Sequence, residues 1–299
     1  MAEVIESQVD WLSCTSQRSV EDASLHAVGE SLLALEEAHG ARTRPGSRLG
    51  YAGLRAKRIF LGVGPQGTLL DVSGDLARVA FEEASGACDH ISRLDIAATV
   101  RFERAMDAYE RERWEEYLTW CASVGGEHRG HYEEDDRRAG SCYVGSSKSD
   151  VLLRIYNKEG EALRRGTPQE VEHYLRCHRF ELQLRNERAC AMAASLSDPT
   201  TRARRILGTL AGFLSDKGLS SSDLSPERMA LVPGFRRRSD DDVSLGWLAE
   251  QVRPTLERLC AKGSTEHVIA ALGLDSVPEH GTRPRATVGP QGVWRAPRL

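Results

Sequence analysis

The sequence lacks the features that identify several large classes of protein. Its seven cysteines are scattered and never spaced as Cys-x-x-Cys, so neither a zinc site nor a disulfide framework is indicated. No apolar run approaches the roughly 18–20 residues that a membrane span needs. The residues up to Cys14 also lack the basic and apolar regions of a signal peptide. These absences predict a cytoplasmic protein that makes no use of a membrane.

Two motifs of nucleotide and metal chemistry are missing as well. The segment GVGPQG at 62–67 has no Gly-Lys-Ser/Thr ending and joins two predicted strands, so we expect no ATPase and any helicase would be a separate partner. No His-hydrophobe-His pair occurs. His128 and His131 fall in a predicted loop. His173 and His178 lie five apart on a predicted strand, on opposite faces, which disfavours a joint role in metal binding.

The 299 residues contain 40% hydrophobic and 28% charged residues, which is enough for a sizeable core. The net charge of −4 does not by itself indicate a nucleic-acid partner. Its distribution is uneven, because residues 102–138 hold eleven Asp and Glu against six Lys and Arg, whereas residues 140–210 hold twelve Lys and Arg against eight Asp and Glu. A polyanion is therefore expected to bind the later segment.

Hydrophobic periodicity in the first third predicts a strand, a helix, two strands, a helix and a strand. The predicted elements are 9–15, 22–39, 57–63, 68–72, 75–87 and 90–98, with a basic stretch containing glycine and proline at 42–53. This order is that of a ferredoxin-like half.

The following segment predicts a second, related half. A charged helix at 102–123 precedes a polar loop at 125–140, strands at 141–146, 151–157 and 173–185, and helices at 187–196 and 200–214. The fold class is thus α+β, with antiparallel sheets, helices on one face and a helical C-terminal extension.

Five segments describe the predicted organisation of the chain. They are a ferredoxin-like half (1–100), a second half (101–214), a linker (215–243), a helical extension (244–273) and a disordered, arginine-containing tail (274–299). Within the extension, helices are predicted at 244–262 and 265–272.

Alternation along three strands places polar side chains away from the predicted core. These residues are Arg93 and Asp95 in the first strand, Arg154 and Tyr156 in the second, and Arg179, Glu181, Gln183 and Arg185 in the third. On one shared surface, a tyrosine hydroxyl could attack phosphorus, carboxylates could hold a hard divalent cation, and arginines could bind phosphates. Alternation alone does not distinguish such a site from a plain solvated sheet face, which is the more common arrangement.

Several segments together resemble a known family. They are GYAG at 50–53, LDVSG at 70–74, RLDIA at 93–97, YVGSSKSD at 143–150, RIYNK at 154–158 followed by Glu161, and RFELQLR at 179–185. In this order they are similar to the replication initiation factor family, which includes initiators of rolling-circle plasmids of the staphylococcal type, relaxases of integrative elements and phage initiators. The resemblance spans about residues 9–213.

The resemblance implies an enzyme that nicks and rejoins origin DNA through a tyrosine that stays joined to the 5′ phosphate. The nucleophile then falls on Tyr156, with Arg154 as a catalytic neighbour, and Tyr143 is the alternative nucleophile. A divalent metal, Mg²⁺ or Mn²⁺, is implied as cofactor. Its implied ligands are Asp95 and Glu181, with Glu161 as a third candidate and Asp10 as a weaker one.

The sequence departs from the family pattern at two places. Many members have Asp or Glu where this chain has Asn157, and the family's second acid after the RLDIA strand is replaced by Thr99 and Val100. These positions are therefore not among the implied metal ligands.

The implied partners are single-stranded or supercoiled origin DNA, a host helicase and a polymerase, and a homodimer is open because some members act as dimers. Candidate DNA contacts are Lys148, Lys158, Arg93, Arg179, Arg185, Arg202, Arg204 and Arg205. An ordinary turn at 145–149 and a solvated helix end at 202–205 are the competing interpretations. Two other hypotheses stay open, a non-catalytic origin-binding protein on the same scaffold and an unrelated α+β protein.

Overall fold

A computed structural model describes most of the first 231 residues and one later segment. The described residues are 2–17, 24–65, 67–84, 86–103, 107–130, 140–146, 148–221, 223–224, 227–231 and 253–263. The chain divides into a unit of Met1–Phe235 and a second of Arg236–Leu299.

Within the described residues of the first unit, ten strands form one antiparallel sheet. They are β1 (Ala2–Ser16), β2 (Arg44–Arg48), β3 (Tyr51–Arg55), β4 (Ile59–Gly64), β5 (Gly67–Ser73), β6 (His90–Phe102), β7 (Glu127–Gly130), β8 (Gly140–Val144), β9 (Val151–Asn157) and β10 (Cys177–Arg185). Their order across the sheet is β2-β3-β4-β5-β1-β6-β10-β9-β8-β7.

In the first half, the number of helices agrees with the prediction, whereas the second half has two more than predicted. Seven helices are described in the first unit. They are α1 (Ser24–Ala38), α2 (Asp75–Ala84), α3 (Asp107–Ser123), α4 (Lys158–Arg165), α5 (Pro168–His173), α6 (Asn186–Ser195) and α7 (Pro199–Asp216). In the second unit, α8 spans Arg253–Ala261.

The predicted α+β class is confirmed, and the first half has the ferredoxin-like arrangement. Strands β4, β5, β1 and β6 are neighbours in that order, which is the order of a ferredoxin-like sheet. The second half does not form a separate sheet. Its strand β10 pairs with β6 on one side and β9 on the other, so one sheet runs through both halves.

The main core lies between one face of the sheet and five helices. Leu94, Ile96, Leu153, Ile155 and Leu182 face it, as the alternation predicts. Helices α1, α2, α3, α6 and α7 all bury residues in this cluster, whereas α4 and α5 bury none there. Burial of this many aliphatic side chains is the main stabilising term for such a sheet.

Several predicted boundaries differ in the structure. Strand β10 begins at Cys177, four residues later than predicted, because α5 ends at His173 and a turn follows it. Helix α5 itself was not predicted; Thr167 and Glu170 form its capping box and Pro168 occupies its first turn. Strand β6 continues to Phe102, where a helix was predicted. The basic stretch at 42–53 lies largely in the hairpin β2–β3, and residues 127–130 of the predicted loop form β7.

Predictions for the end of the chain are only partly covered. Helix α8 lies inside the predicted helix 244–262, while residues 232–252 and 264–299, including the predicted helix 265–272 and tail, lie outside the described residues. No helix in the described part of the chain is long and apolar enough to cross a membrane. The six described cysteines are all free.

Candidate functional site

Three neighbouring strands place the predicted polar residues on one surface. In the β6–β10–β9 register, Tyr156 lies opposite Arg179, and Glu181 lies opposite Arg154. Gln183 lies opposite Asp95 across the other edge of β10. Because side chains alternate between faces, these residues share the face that is turned away from the main core.

Strand β1 adds acidic residues to this face through an irregularity in its pairing. Val9 pairs with Ile96 and Trp11 with Asp95, so Asp10 is an extra residue in β1. Such a bulge re-aims side chains. Trp11, which strict alternation would turn to the core, lies instead beneath the guanidinium of Arg93 at 4.0 Å from the ring centroid.

The centre of the face is a hydrogen-bonded pair of Tyr156 and Glu181. The Tyr156 hydroxyl donates to Glu181 Oε1 at 2.7 Å. Arg154 forms an ion pair with Glu181 Oε2 at 2.6 Å, and its guanidinium lies 4.4 Å from the Tyr156 ring centroid. The tyrosine hydroxyl, its acceptor and a cation are therefore in direct contact.

This face is not a solvated one. Tyr156 is 5% exposed and Arg179 is 2% exposed, and Asp95 and Glu181 are buried too. Buried charges are costly unless they are paired. The structure meets this requirement, because each of these carboxylates contacts an arginine.

Arg179 is enclosed by protein acceptors. Its Nη1 lies 2.9 Å from Glu6 Oε2 and donates to Thr99 Oγ1, and its Nη2 lies 2.5 Å from Asp10 Oδ1. Its Nε lies 3.3 Å from Glu181 Oε1. The sequence proposed Arg179 as a DNA contact, but in this arrangement its guanidinium positions four protein groups and does not reach the surface.

Burial and neighbouring charges shift the pKa values in opposite directions. Burial, reinforced by the Glu181 charge, raises the pKa of Tyr156 well above its usual 10. Burial would also raise the pKa of Glu181, but the charges of Arg154 and Arg179 outweigh it and lower that pKa to about 2. At neutral pH the pair is therefore a neutral phenol donating to a carboxylate.

Asp95 forms the second acidic position. Arg93 donates to it from Nε at 2.8 Å and from Nη2 at 2.5 Å. Burial nevertheless raises the pKa of Asp95 to about 6, and the nearby carboxylates of Glu181 and Asp10 add to the increase. Like charges that raise one another's pKa in a buried site favour binding of a cation.

The residues that follow Tyr156 border it on the open side. Asn157 caps α4 by accepting a hydrogen bond from Gly160 N at 3.0 Å, a role that an Asp at this position would also fill. Lys158 lies 5.7 Å from the Tyr156 ring centroid and pairs with Glu161 at 2.7 Å. A cleft of about 200 Å³ lies here, lined by Lys158, Glu161, Ala162, Gly166, Glu170 and Tyr174.

The fit of a metal ion depends on how many carboxylates are available. Within the described residues, no three His, Cys, Asp or Glu side chains are grouped so that they could together hold a metal ion. Glu161 is paired with Lys158 on α4. Asp95 and Glu181 offer two oxygen-donor side chains on neighbouring strands. Two carboxylates suit Mg²⁺ when a substrate phosphate supplies further oxygens.

Three buried donors on the same face have no protein acceptor. Arg154 Nε, Gln183 Nε2 and Arg185 Nε have no hydrogen-bond partner in the described part of the chain. Buried N–H groups normally find an acceptor. A ligand rich in acceptor oxygens, such as a phosphate, would satisfy them.

The remaining candidate DNA contacts lie in two other places. Lys148 is exposed in the turn between β8 and β9. At the start of α7, Arg202 pairs with Glu82 and Arg204 with Glu227, while Arg205 is exposed. These three arginines are not brought to the Tyr156 face, since α7 packs on the main core.

The structure also shows where the alternative nucleophile, Tyr143, and two of the histidines lie. Tyr143 lies opposite Arg154 in the register of β8 and β9, so it borders the same face. His178 lies on the core face, where Nε2 contacts Glu110 Oε1 at 2.5 Å, and His173 ends α5 and is not on a strand. The side chains of His128 and His131 lie outside the described residues.

Three side chains that contribute to this face were not predicted from the sequence. Glu6 accepts a hydrogen bond from Arg179, the Trp11 ring lies against the Arg93 guanidinium, and the Tyr174 hydroxyl donates to Glu6 at 2.9 Å. Glu6 and Trp11 lie in a strand whose predicted span was 9–15, so the pattern carried no signal for Glu6. Trp11 lies on the polar face and not in the core because of the bulge in β1, which alternation in the sequence does not reveal.

Comparisons with known proteins agree with the resemblance. Residues 89–211 match the family model described as "Replication initiation factor". The structure is similar to that of a rolling circle replication initiator protein from Geobacillus stearothermophilus. The two chains are 19% identical, the match covers 76% of this chain and 99% of that chain, and the TM-score is 0.50. A search of curated proteins gives no significant match. The predicted resemblance to replication initiation factors is thus confirmed.

Proposed function

We propose, from the match to replication initiation factors and from the geometry around Tyr156, that this protein is a sequence-specific DNA nicking and rejoining enzyme. It would initiate rolling-circle replication or transfer of a plasmid, phage or integrative element. The observation that carries the proposal is the contact of the Tyr156 hydroxyl with Glu181 inside a buried cluster of arginines and acids.

The proposed step is an in-line displacement at phosphorus. The Tyr156 oxygen forms a bond to the phosphorus, and the bond from phosphorus to the 3′ oxygen of the preceding nucleotide breaks. The products are a 5′-phosphotyrosine and a free 3′ hydroxyl, because the departing 3′ oxygen takes up a proton from water. The tyrosine proton passes to a carboxylate, and Glu181 Oε1 at 2.7 Å is the acceptor in contact. The 3′ hydroxyl end is then available to a host polymerase.

Two cations flank the phenol and can stabilise the negative charge that develops. Arg154 lies over the ring and a third of its side chain is exposed, so it can turn a donor toward a phosphate oxygen. Lys158 lines the adjoining cleft and provides a point charge beside the same ring. The three donors without acceptors add capacity for phosphate oxygens.

We propose metal dependence on the basis of the two buried carboxylates. Asp95 and Glu181 would hold a Mg²⁺ or Mn²⁺ ion together with the phosphate. When bound, such an ion supplies positive charge that stabilises the phosphoryl group and lowers the pKa of a neighbouring hydroxyl.

A second candidate function is favoured by one observation. The Tyr156 hydroxyl is buried and its pKa is raised, so in the described arrangement it is not activated. An origin-binding protein that keeps the scaffold without the chemistry would have the same feature.

The test is a denaturing gel of 5′- and 3′-labelled single-stranded DNA, tiled across the DNA that surrounds the gene. Wild type, Tyr156→Phe and Tyr143→Phe are compared with Mn²⁺ and with EDTA. We expect a nick in the wild type and in Tyr143→Phe, with protein retained on the 5′ end of the downstream fragment, and no nick in Tyr156→Phe. In the wild type, both the nick and the retention of protein on the 5′ end should require Mn²⁺ and be absent with EDTA.

Other outcomes separate the two candidates. Loss of cleavage only in Tyr143→Phe would move the nucleophile to Tyr143. Sequence-specific binding without cleavage on any tile would favour the origin-binding function.

A further inference from the structure

The hairpin formed by β2 and β3 carries positive charge that the site around Tyr156 does not use. Between residues 41 and 58 the sequence has five arginines and one lysine and no Asp or Glu. Two of these arginines are neutralised, since Arg48 pairs with Asp71 and Arg58 with Glu36. The structure describes every residue of this segment.

Two of the remaining arginines oppose each other directly. Arg44 of β2 and Arg55 of β3 are register partners, and both are exposed. Neither has a carboxylate partner within the described residues. Like charges directly opposite on neighbouring strands destabilise a hairpin, so an anion between them would relieve a cost that the fold otherwise carries.

The exposed arginines lie on the same face of the sheet as Tyr156. Arg44 and Arg48 are four residues apart in a strand and therefore share a face. Arg48 pairs with Asp71 and lies 5.8 Å from the Trp11 ring, which places this face with the polar one.

The base of the hairpin also approaches the cleft beside Tyr156. Hydrogen bonding to Thr167 lowers the pKa of Glu170, and the charges of Lys57 and Lys158 lower it further. Glu170 and Lys158 both line the cleft, so Lys57 lies near it.

The shape of the hairpin suits a backbone ligand. Gly46 and Gly53 are opposed between the Arg44–Arg55 pair and Arg48, so the middle of the ribbon carries no side chain of its own on this face. Single-stranded DNA is generally bound by exposed aromatic rings. In residues 44–55 the one aromatic side chain, Tyr51, is buried.

We propose that the β2–β3 hairpin binds the phosphate backbone of duplex DNA beside the nicking site, through Arg44 and Arg55. The inference rests on the proposed function and extends it to the double-stranded part of the origin. A two-stranded ribbon of this kind fits a groove of the duplex, and arginines bind phosphate oxygens bidentately.

An edge strand has another reason to be charged. Strand β2 is the last strand of the sheet, and both its arginines and Pro45 discourage pairing with other chains. That interpretation requires charge of either sign, whereas a phosphate contact requires positive charge. Substitution by glutamate therefore separates the two.

The experiment measures binding of a fluorescein-labelled 30-base-pair duplex by anisotropy between 50 and 200 mM KCl. Each phosphate contact contributes about 0.9 to the slope of log affinity against log salt. Arg44→Ala/Arg55→Ala should therefore reduce the slope by about 2, so that wild type loses roughly tenfold more affinity over this range than the variant does. Arg44→Lys/Arg55→Lys should keep the wild-type slope.

The charge-matched control is Arg78→Ala/Arg111→Ala, because both arginines are exposed on helices that pack on the other face of the sheet. The control should bind like the wild type. Arg44→Glu should bind more weakly than Arg44→Ala while its Tm is not lowered, since the new carboxylate faces Arg55.

A slope for the Arg44/Arg55 alanine variant equal to that of the control would overturn the inference, as would wild-type binding by Arg44→Glu. Neither result touches the tyrosine chemistry, which is measured on single-stranded DNA. Conversely, a reduced slope without cleavage in the nicking assay would overturn the proposed enzyme and leave the hairpin as a DNA-binding surface.

Discussion

Replacing Arg179 by methionine tests whether the acids beside Tyr156 depend on one buried cation. The Arg179 side chain is almost fully buried, and its guanidinium lies within 3.3 Å of carboxylate oxygens of Glu6, Asp10 and Glu181. Methionine fills similar volume without charge. Removing one partner from a buried charge cluster costs about 3–5 kcal/mol of unfolding free energy, because the other charges stay buried and uncompensated.

The assay is urea denaturation at pH 7, in which tryptophan fluorescence monitors unfolding. Arg78→Met, at an exposed helical position, is the control and should leave the unfolding free energy unchanged. A second variant, Arg179→Met/Asp10→Asn, should recover part of the loss, because one fewer carboxylate is left without a partner. A merely steric role of Arg179 would give no such recovery.

The loss should also depend on pH with a definite sign. Burial opposes ionisation of Glu6, but the Arg179 charge and hydrogen bonds lower its pKa below 4.5. A lowered pKa stabilises the fold above the unfolded-state pKa, and this contribution disappears as the pH falls through the folded-state pKa. The difference between wild type and Arg179→Met should therefore shrink as the pH falls below about 4.5. A loss under about 1 kcal/mol at pH 7, or one independent of pH, would refute the reasoning.

Two further predictions concern Asp95 and Asn157. Because burial raises the pKa of Asp95 to about 6, its ionisation destabilises the fold, and unfolding free energy should fall as pH rises from about 4 to 6. Asp95→Asn should remove this part of the slope in urea titrations at intermediate pH values, and an unchanged slope would contradict the assignment. Asn157→Ala removes the cap of α4 and should cost about 1 kcal/mol in the same assay, whereas Asn157→Asp should retain the cap. Equal losses in both variants would exclude the capping role.

Strand alternation was the part of the site that the sequence could predict. Period-two placement of Arg154 and Tyr156 against Leu153 and Ile155 depends only on local backbone geometry, and the core cluster contains both apolar residues. The family resemblance then grouped the three strands, which pair as neighbours in the sheet.

The burial of this polar face could not be predicted from the local sequence pattern. Polar residues on alternating positions are typical of a solvated face, yet Arg179 is almost fully buried here. Its burial depends on Glu6 and Asp10 from a distant part of the chain, and on a bulge in β1 that no residue type announces. Helix α5 was missed for a different reason, because no element was predicted between residues 158 and 172, although Thr167 and Glu170 form a capping box there.

The two arginines on Glu181 differ in a way that bears on how the nucleophile is activated. Both lower the Glu181 pKa, but a third of the Arg154 side chain is exposed while Arg179 is enclosed. On the proposed mechanism, an arriving phosphate can draw Arg154 away from Glu181, whereas Arg179 stays in place. Glu181 then loses the cation that lowers its pKa most and becomes a stronger acceptor for the tyrosine proton. Binding of DNA and activation of the hydroxyl would thus be the same event, which explains why the tyrosine is neutral and buried before the substrate is present.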